Sequence, residues 1–111
     1  MKETDIQKAI LEYLGYRKIF AWRNNTGAMK TETGHFYRFG LKGSGDILGV
    51  LTIGQLGVIL CVEVKSEKGK QSAEQKEFQK QIEERGGLYI LAKKIEDVEY
   101  GIQKFKEMHN V

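Results

Sequence analysis

Val58-Ile59-Leu60-Cys61-Val62 is an unbroken apolar run of strand length, and it leads directly into Glu63-Val64-Lys65. No other feature restricts the fold as much, because two opposite charges stand where a buried strand ends. Side chains alternate faces along a strand, so Glu63 and Lys65 point the same way, about 6 to 7 Å apart along the chain. Buried charges are costly unless they pair or bind a metal. An ion pair where the strand emerges into water would satisfy this segment alone.

A second charged interruption lies upstream. Gly43-Ser44-Gly45-Asp46 is followed at once by Ile47-Leu48-Gly49-Val50-Leu51, which puts Asp46 at a strand start. Thr52-Ile53-Gly54-Gln55-Leu56-Gly57 carries turn glycines between the two apolar runs and predicts an antiparallel hairpin. Counted from Gln55, Asp46 lies nine residues before and Glu63 eight after, so pairing brings them side by side at one sheet end, with Lys65 adjacent. Two carboxylates held together repel unless a cation or a proton relieves them, and an oxygen-only donor set suits Mg²⁺ or Mn²⁺. A hairpin with a charged rim is the alternative.

At 111 residues the chain is expected to be one domain, and 41% hydrophobic with 30% charged residues is ordinary for a globular protein. Its apolar runs are shorter than the roughly 18 residues a membrane helix needs. Met1-Lys2-Glu3-Thr4 opens no signal-peptide hydrophobic region, which predicts an intracellular, cytoplasmic protein without membrane partners. Cys61 is the only cysteine and reads as a small core residue, and with His35 and His109 it makes too few ligands for zinc.

A net charge of +3 leans towards a polyanionic partner, and the cations bracket the charged hairpin. Arg17, Lys18, Arg23, Lys30, Arg38 and Lys42 precede it, and Lys65, Lys68, Lys70, Lys76 and Lys80 follow. Trp22, Phe36, Tyr37 and Phe39 interleave with the first group, a pattern compatible with backbone contact and base stacking. Each aromatic taken singly is expected in the core. The polar segment Asn24 to Gly34 reads as a loop that either touches DNA or merely connects strands.

The path along the chain predicts helix, three strands, helix, strand, helix. Ile6, Ala9, Ile10, Tyr13 and Leu14 recur at helical spacing, and Gly15 ends that helix. Glu3 falls within its apolar arc and points towards the body, although Thr4-x-x-Gln7 also reads as a capping box that would leave Glu3 outside the helix. Ser72-x-x-Gln75 is a capping box for a second helix lined by Phe78 and Ile82. Gly86-Gly87 stops it, Leu88 to Ala92 returns as a strand, and Ile95, Val98, Ile102 and Phe105 form the inner stripe of a last helix.

Gly43-Ser44-Gly45-Asp46, Glu63-Val64-Lys65 and Ser72-Ala73-Glu74-Gln75, preceded by Glu3, together resemble the virus-type replication-repair nuclease domain, a branch of the PD-(D/E)xK restriction-endonuclease-like superfamily. The resemblance covers nearly the whole chain and implies a single domain over residues 1–111. The fold it implies is an α/β restriction-endonuclease-like core of order α-β-β-β-α-β-α, with a mixed central sheet flanked by helices. Gly45 stands where the superfamily has its proline, which bears on loop shape and not on chemistry.

The family pattern implies Glu3, Asp46, Glu63, Lys65 and Gln75 as catalytic residues. Mg²⁺, with Mn²⁺ able to substitute, would be held by Asp46, Glu63, the carbonyl of Val64 and Glu3, the last directly or through water. No small-molecule cofactor is expected. Lys65 would orient the attacking water or stabilise the phosphate, and Gln75 would support Lys65 or a phosphate. Arg23, Lys30, Arg38, Lys42, Ser44, Lys68 and Lys70 are the expected DNA contacts. The implied activity is phosphodiester hydrolysis leaving a 5′-phosphate and a 3′-hydroxyl, in DNA repair or recombination in a bacterial cell or its phage. With no base-reading motif, DNA structure is the expected cue, and a homodimer resolving Holliday junctions is the leading expectation. A monomeric flap-nicking endonuclease and a non-catalytic DNA-binding module are the rivals.

Overall fold

The computed structural model describes residues 2–111 as an α/β fold with three helices and a mixed sheet. The elements are α1 (Glu3–Tyr16), β1 (Phe20–Arg23), β2 (Gly27–Lys30), β3 (Phe36–Phe39), β4 (Ile47–Ile53), β5 (Leu56–Val64), α2 (Ala73–Glu84), β6 (Leu88–Ala92) and α3 (Ile95–Met108). Four strands form the sheet in the order β1-β4-β5-β6, antiparallel except for the parallel pair β5 and β6. The remaining two, β2 and β3, pair only with each other.

The hairpin forms as its glycines direct. Ile53 pairs with Leu56 across Gly54-Gln55, and Gly54 takes a φ of +61°, the glycine-first arrangement of a II′ turn. The register runs from there to Ile47 opposite Val62, and its next step sets Asp46 against Glu63. Ile47, Leu51, Leu60, Val62, Val64, Ile90 and Ala92 project from one face into a core completed by Ile6, Ile10 and Leu14 of α1 and Val98, Ile102 and Phe105 of α3.

The other face is covered by half. α2 packs there, with Phe78 6.4 Å from the Tyr89 ring and Ile82 against Gly87. Cys61, Glu63 and Tyr89 are buried on this face, while Val50, Ile59, Phe20 and Trp22 on it stay exposed. β5 therefore alternates at its start and is buried on both faces from Leu60 to Val64. The covered half is where Glu63 lies.

Several expectations need correction. Five strands precede α2 rather than three, because the segment read as a loop from Asn24 to Gly34 contains β2, which pairs with Phe36–Phe39. The aromatics are not core residues: Trp22, Phe36, Tyr37 and Phe39 are 41 to 64% exposed, since no layer covers the ribbon or the face of β1 turned away from α1. α1 begins at Glu3 with Lys2 as its cap residue, so the Thr4-Gln7 box does not form; Glu3 and Asp5 instead sit in the first turn, where the helix dipole favours anions. The helix also runs one residue beyond Gly15. α2 ends as expected: the amides of Gly86 and Gly87 return to the carbonyls of Glu83 and Ile82, with Gly86 at φ +84°.

Ile10→Ala, at a fully buried position between α1 and the sheet, should cost about 3 kcal/mol of unfolding free energy. Phe36→Ala, on the uncovered ribbon, should stay within about 0.5 kcal/mol. Urea denaturation of both variants checks this division, and equal losses would mean that the ribbon shares in the core.

Candidate functional site

The site forms at the open end of the β4-β5 hairpin, where three segments meet. Asp46 precedes β4, and its Oδ2 accepts a hydrogen bond of 2.7 Å from the Val64 amide. Gly45 lies so close to β5 that a Cβ would stand 3.0 Å from the Val62 carbonyl oxygen. This approach explains a residue without a side chain just before Asp46. Gly43, at φ +88°, passes equally close to the Glu74 backbone and ties the loop to the start of α2.

Asn24, which sequence reasoning passed over, organises this loop. Its amide nitrogen donates to the Asp46 carbonyl (2.8 Å), and its Nδ2 donates to Ser44 Oγ (2.7 Å) and to the Gly45 carbonyl (2.9 Å). Ser44 Oγ in turn donates to the Leu41 carbonyl at 2.6 Å. The Ser44 hydroxyl proton is thereby engaged, so Ser44 shapes the loop and has no donor left for a phosphate. The signal for Asn24 was its place just after β1, and it acquires meaning only once β1 is known to pair with β4.

Glu63 is 3% exposed, and its Oε1 has no hydrogen-bond partner. Lys65 Nζ stands 3.9 Å from Oε2, close enough to attract but too far for a direct hydrogen bond. Burial, followed by the neighbouring Asp46 carboxyl, pushes the Glu63 carboxyl up to about 8; Lys65 opposes the shift and Glu3 adds to it. Lys65 is itself mostly covered, with its stem against Gly69 and its amide bonded to the Ala92 carbonyl at 2.9 Å.

Glu3 reaches the same strand end from the first turn of α1, and its Oε2 accepts from the Ser66 amide at 3.1 Å. Among the described residues no three His, Cys, Asp or Glu side chains group closely enough to hold an ion, so the converging carboxyls are those of Asp46 and Glu63. Their chemistry fits a hard divalent cation: two carboxyls close enough that a hydrogen bond between them helps raise Glu63, and a buried Glu63 Oε1 that no other donor of the protein meets.

Gln75 serves the helix cap. Its Oε1 accepts from the Ser72 amide and its own amide donates to Ser72 Oγ, which completes the capping box. The amide oxygen is thus engaged and not free to support Lys65, while Nε2 remains the group that would donate to a phosphate. Sequence reasoning also missed Tyr89 and Gln71. Gln71 Nε2 donates to Tyr89 Oη (3.2 Å) and to Gln79 Oε1 (3.0 Å), forming a polar inner wall. Burial pushes the Tyr89 hydroxyl up to about 12; the Gln71 bond opposes this, and the charge of Glu63 contributes. Of the expected DNA contacts, Arg23, Lys30, Arg38, Lys42, Lys68 and Lys70 are exposed or half-buried, and Lys42 Nζ stands 3.2 Å from Glu74 in a solvent-screened pair.

Two outcomes follow from this geometry. Glu63 stays protonated in the folded chain up to about pH 8, whereas an unfolded chain ionises it from about 4.5. Between those values the folded state binds more protons, so stability falls as pH rises, by up to about 1.4 kcal/mol per unit, and is level outside that window. Glu63→Gln should abolish the slope in denaturation series run in EDTA; an unchanged slope would assign it to another group. Asn24→Ala should cost about 1 to 2 kcal/mol and speed hydrogen exchange at the Val64 amide, whose acceptor is on the loosened loop. Unchanged exchange would mean that the glycines alone hold Asp46.

Comparison with protein-family models, with curated proteins and with solved structures finds no match to this chain.

Proposed function

We propose that the chain is a divalent-cation-dependent DNA endonuclease of restriction-endonuclease-like core, selective for branched structures. One observation carries this reading: the buried, unsatisfied Glu63 carboxyl lies beside Asp46 at an open sheet end, with an ammonium 3.9 Å away. A structural ion pair would be expected to close to hydrogen-bond distance and to leave no acceptor orphaned. Two carboxyls and a nearby lysine are the groups that hydrolysis of a phosphodiester calls for.

Asp46, Glu63 and the Val64 carbonyl would hold the cation, with Glu3 acting through water from its place on the Ser66 amide. Bound there, Mg²⁺, or Mn²⁺ in its place, supplies positive charge against the phosphodiester oxygens. Lys65, anchored through its backbone to β6, donates its ammonium protons either to a non-bridging phosphate oxygen or to the lone pairs of the attacking water, which orients it. Water adds to phosphorus, giving up a proton to solvent, as the P–O3′ bond breaks and the leaving O3′ takes a proton from solvent, leaving a 5′-phosphate and a 3′-hydroxyl. Tyr89 and Gln71 close the inner side against bulk water, which strengthens the charge interactions within.

Four-way junctions are the proposed substrate and a two-fold homodimer the proposed form, because resolution needs two symmetric cuts. A labelled junction, with duplex, flap and single-stranded controls, should be cut at paired positions with Mg²⁺ and not with EDTA. Lys65→Ala should slow the reaction by about 10² to 10³. Cutting of flaps alone would select a nicking enzyme, and binding without any cutting would leave a DNA-binding module. A solution mass that stays monomeric with and without junction DNA would sink the dimer.

A further inference from the structure

The β2-β3 ribbon contributes nothing to the core, since no residue of either strand is buried. A two-stranded ribbon without a covering layer is marginal on its own, yet this one is well built. The Thr31 amide donates to the His35 carbonyl at 2.7 Å, the His35 amide returns to Thr31 Oγ1 at 3.0 Å, and Gly34 takes the left-handed position in the turn. It nevertheless exposes Met29, Phe36, Tyr37 and Phe39, at 49, 64, 47 and 41%. Apolar groups of this size held out from the body mark an interaction surface.

The chemistry of the ribbon selects the partner. Its register puts Tyr37, Phe39 and Met29 on one face and Phe36, Arg38 and Lys30 on the other, with the Arg38 guanidinium 5.8 Å from the Phe36 ring centre. From Arg23 to Lys42 the chain carries Arg23, Lys30, Arg38 and Lys42 against the single acid Glu32, so the complementary partner is anionic. A partner with both negative charge and flat apolar faces is a nucleic acid whose bases have left the stack. Ordinary duplex offers the charge but keeps its bases stacked away from a ring on either face of the ribbon.

The ribbon is also rooted in the site. Asn24 at its entry holds Ser44, Gly45 and Asp46, and its exit leads through Gly40 to that same loop. We propose that the ribbon senses the branch: Phe36 stacks on a base exposed where strands part, and Lys30 and Arg38 neutralise the adjoining phosphates. Six residues lie between Asn24 and Thr31 at the tip, and the seven steps of chain give a reach of roughly 20 to 24 Å at about 3.4 Å per step. Where the nuclease reading holds, this fixes the cut within about seven nucleotides of the branch, and that part of the inference rests on the proposed function. The stacking itself does not.

The test uses the whole chain with Ca²⁺ in place of Mg²⁺, a four-way junction carrying 2-aminopurine at the branch, and a linear duplex of the same length. Wild type should raise the 2-aminopurine fluorescence. Phe36→Ala should lose that rise and bind the junction about 10-fold or more weakly, with duplex affinity within about two-fold. Phe36→Tyr should restore both, and Arg38→Ala should weaken junction and duplex alike. Equal losses by Phe36→Ala on junction and duplex, or none, would overturn the proposal. So would a change in solution mass in that variant, which would make the ribbon an arm between copies of the chain. A wild type that binds and unstacks the branch but never cuts with Mg²⁺ would sink the nuclease reading and leave the ribbon's role. Cutting by wild type with junction preference intact in Phe36→Ala would do the reverse.

Discussion

The pairing register of β4 and β5 fixes nearly everything else in this molecule. Because side chains alternate with period two, a slip of one residue would turn Glu63 towards α1 and α3, into a core with nothing to receive it, and would turn Val62 and Val64 out of that core. The native register is held at one end by the Gly54-Gln55 turn and at the other by the Asp46 carboxylate on the Val64 amide. That second contact joins fold and site: the side chain that completes the ladder also carries one of the two converging carboxyls. Asp46 therefore cannot be moved without loosening the end of the sheet it serves.

Uneven coverage of the sheet then gives Glu63 its character. The helix runs from the capping box at Ser72 to the glycine stop at Gly86 and packs on Gly87 and Tyr89 at the β6 side; on that face Cys61, Glu63 and Tyr89 are buried and Val50 and Ile59 are exposed. The buried carboxyl thus sits within a few residues of open solvent. Burial and a like acid beside it are the two conditions that raise the Glu63 carboxyl.

Features set by near neighbours in the chain were legible in the sequence. The hairpin turn, the inward stripe of Ile6, Ile10 and Leu14, the Ser72-Gln75 box and the Gly86 stop all follow from spacing within a few residues. The facing of Asp46 and Glu63 was legible for the same reason, since counting out from one turn fixes an antiparallel pair. What failed to read depends on layers. Phe36, Tyr37 and Phe39 look like core by residue type, and only the absence of a covering helix makes them exposed. Asn24 gains its partners through β1 pairing with β4, and Tyr89 gains Gln71 where the segment before α2 meets β6, contacts across 20 and 18 residues that no local pattern announces. Glu3 read correctly as facing inward, but its bond to the Ser66 amide spans 63 residues and lies beyond any spacing argument.

Backbone groups, and not other side chains, hold the acidic residues in place, and this has an energetic consequence. Asp46 is fixed by the Val64 amide and, through its carbonyl, by the Asn24 amide; Glu3 is fixed by the Ser66 amide. Gly43 and Gly45 let the loop lie against α2 and β5 at distances a side chain would not allow. A ligand entering such a site need not order the loop, so its binding is not offset by the conformational entropy a mobile loop would lose. Around Glu63 the repulsion between neighbouring carboxyls is relieved in the folded chain by a proton, which a cation at the proposed site would have to displace. Affinity at this site should therefore rise with pH as the Glu63 proton, which competes for the same oxygens, becomes easier to displace.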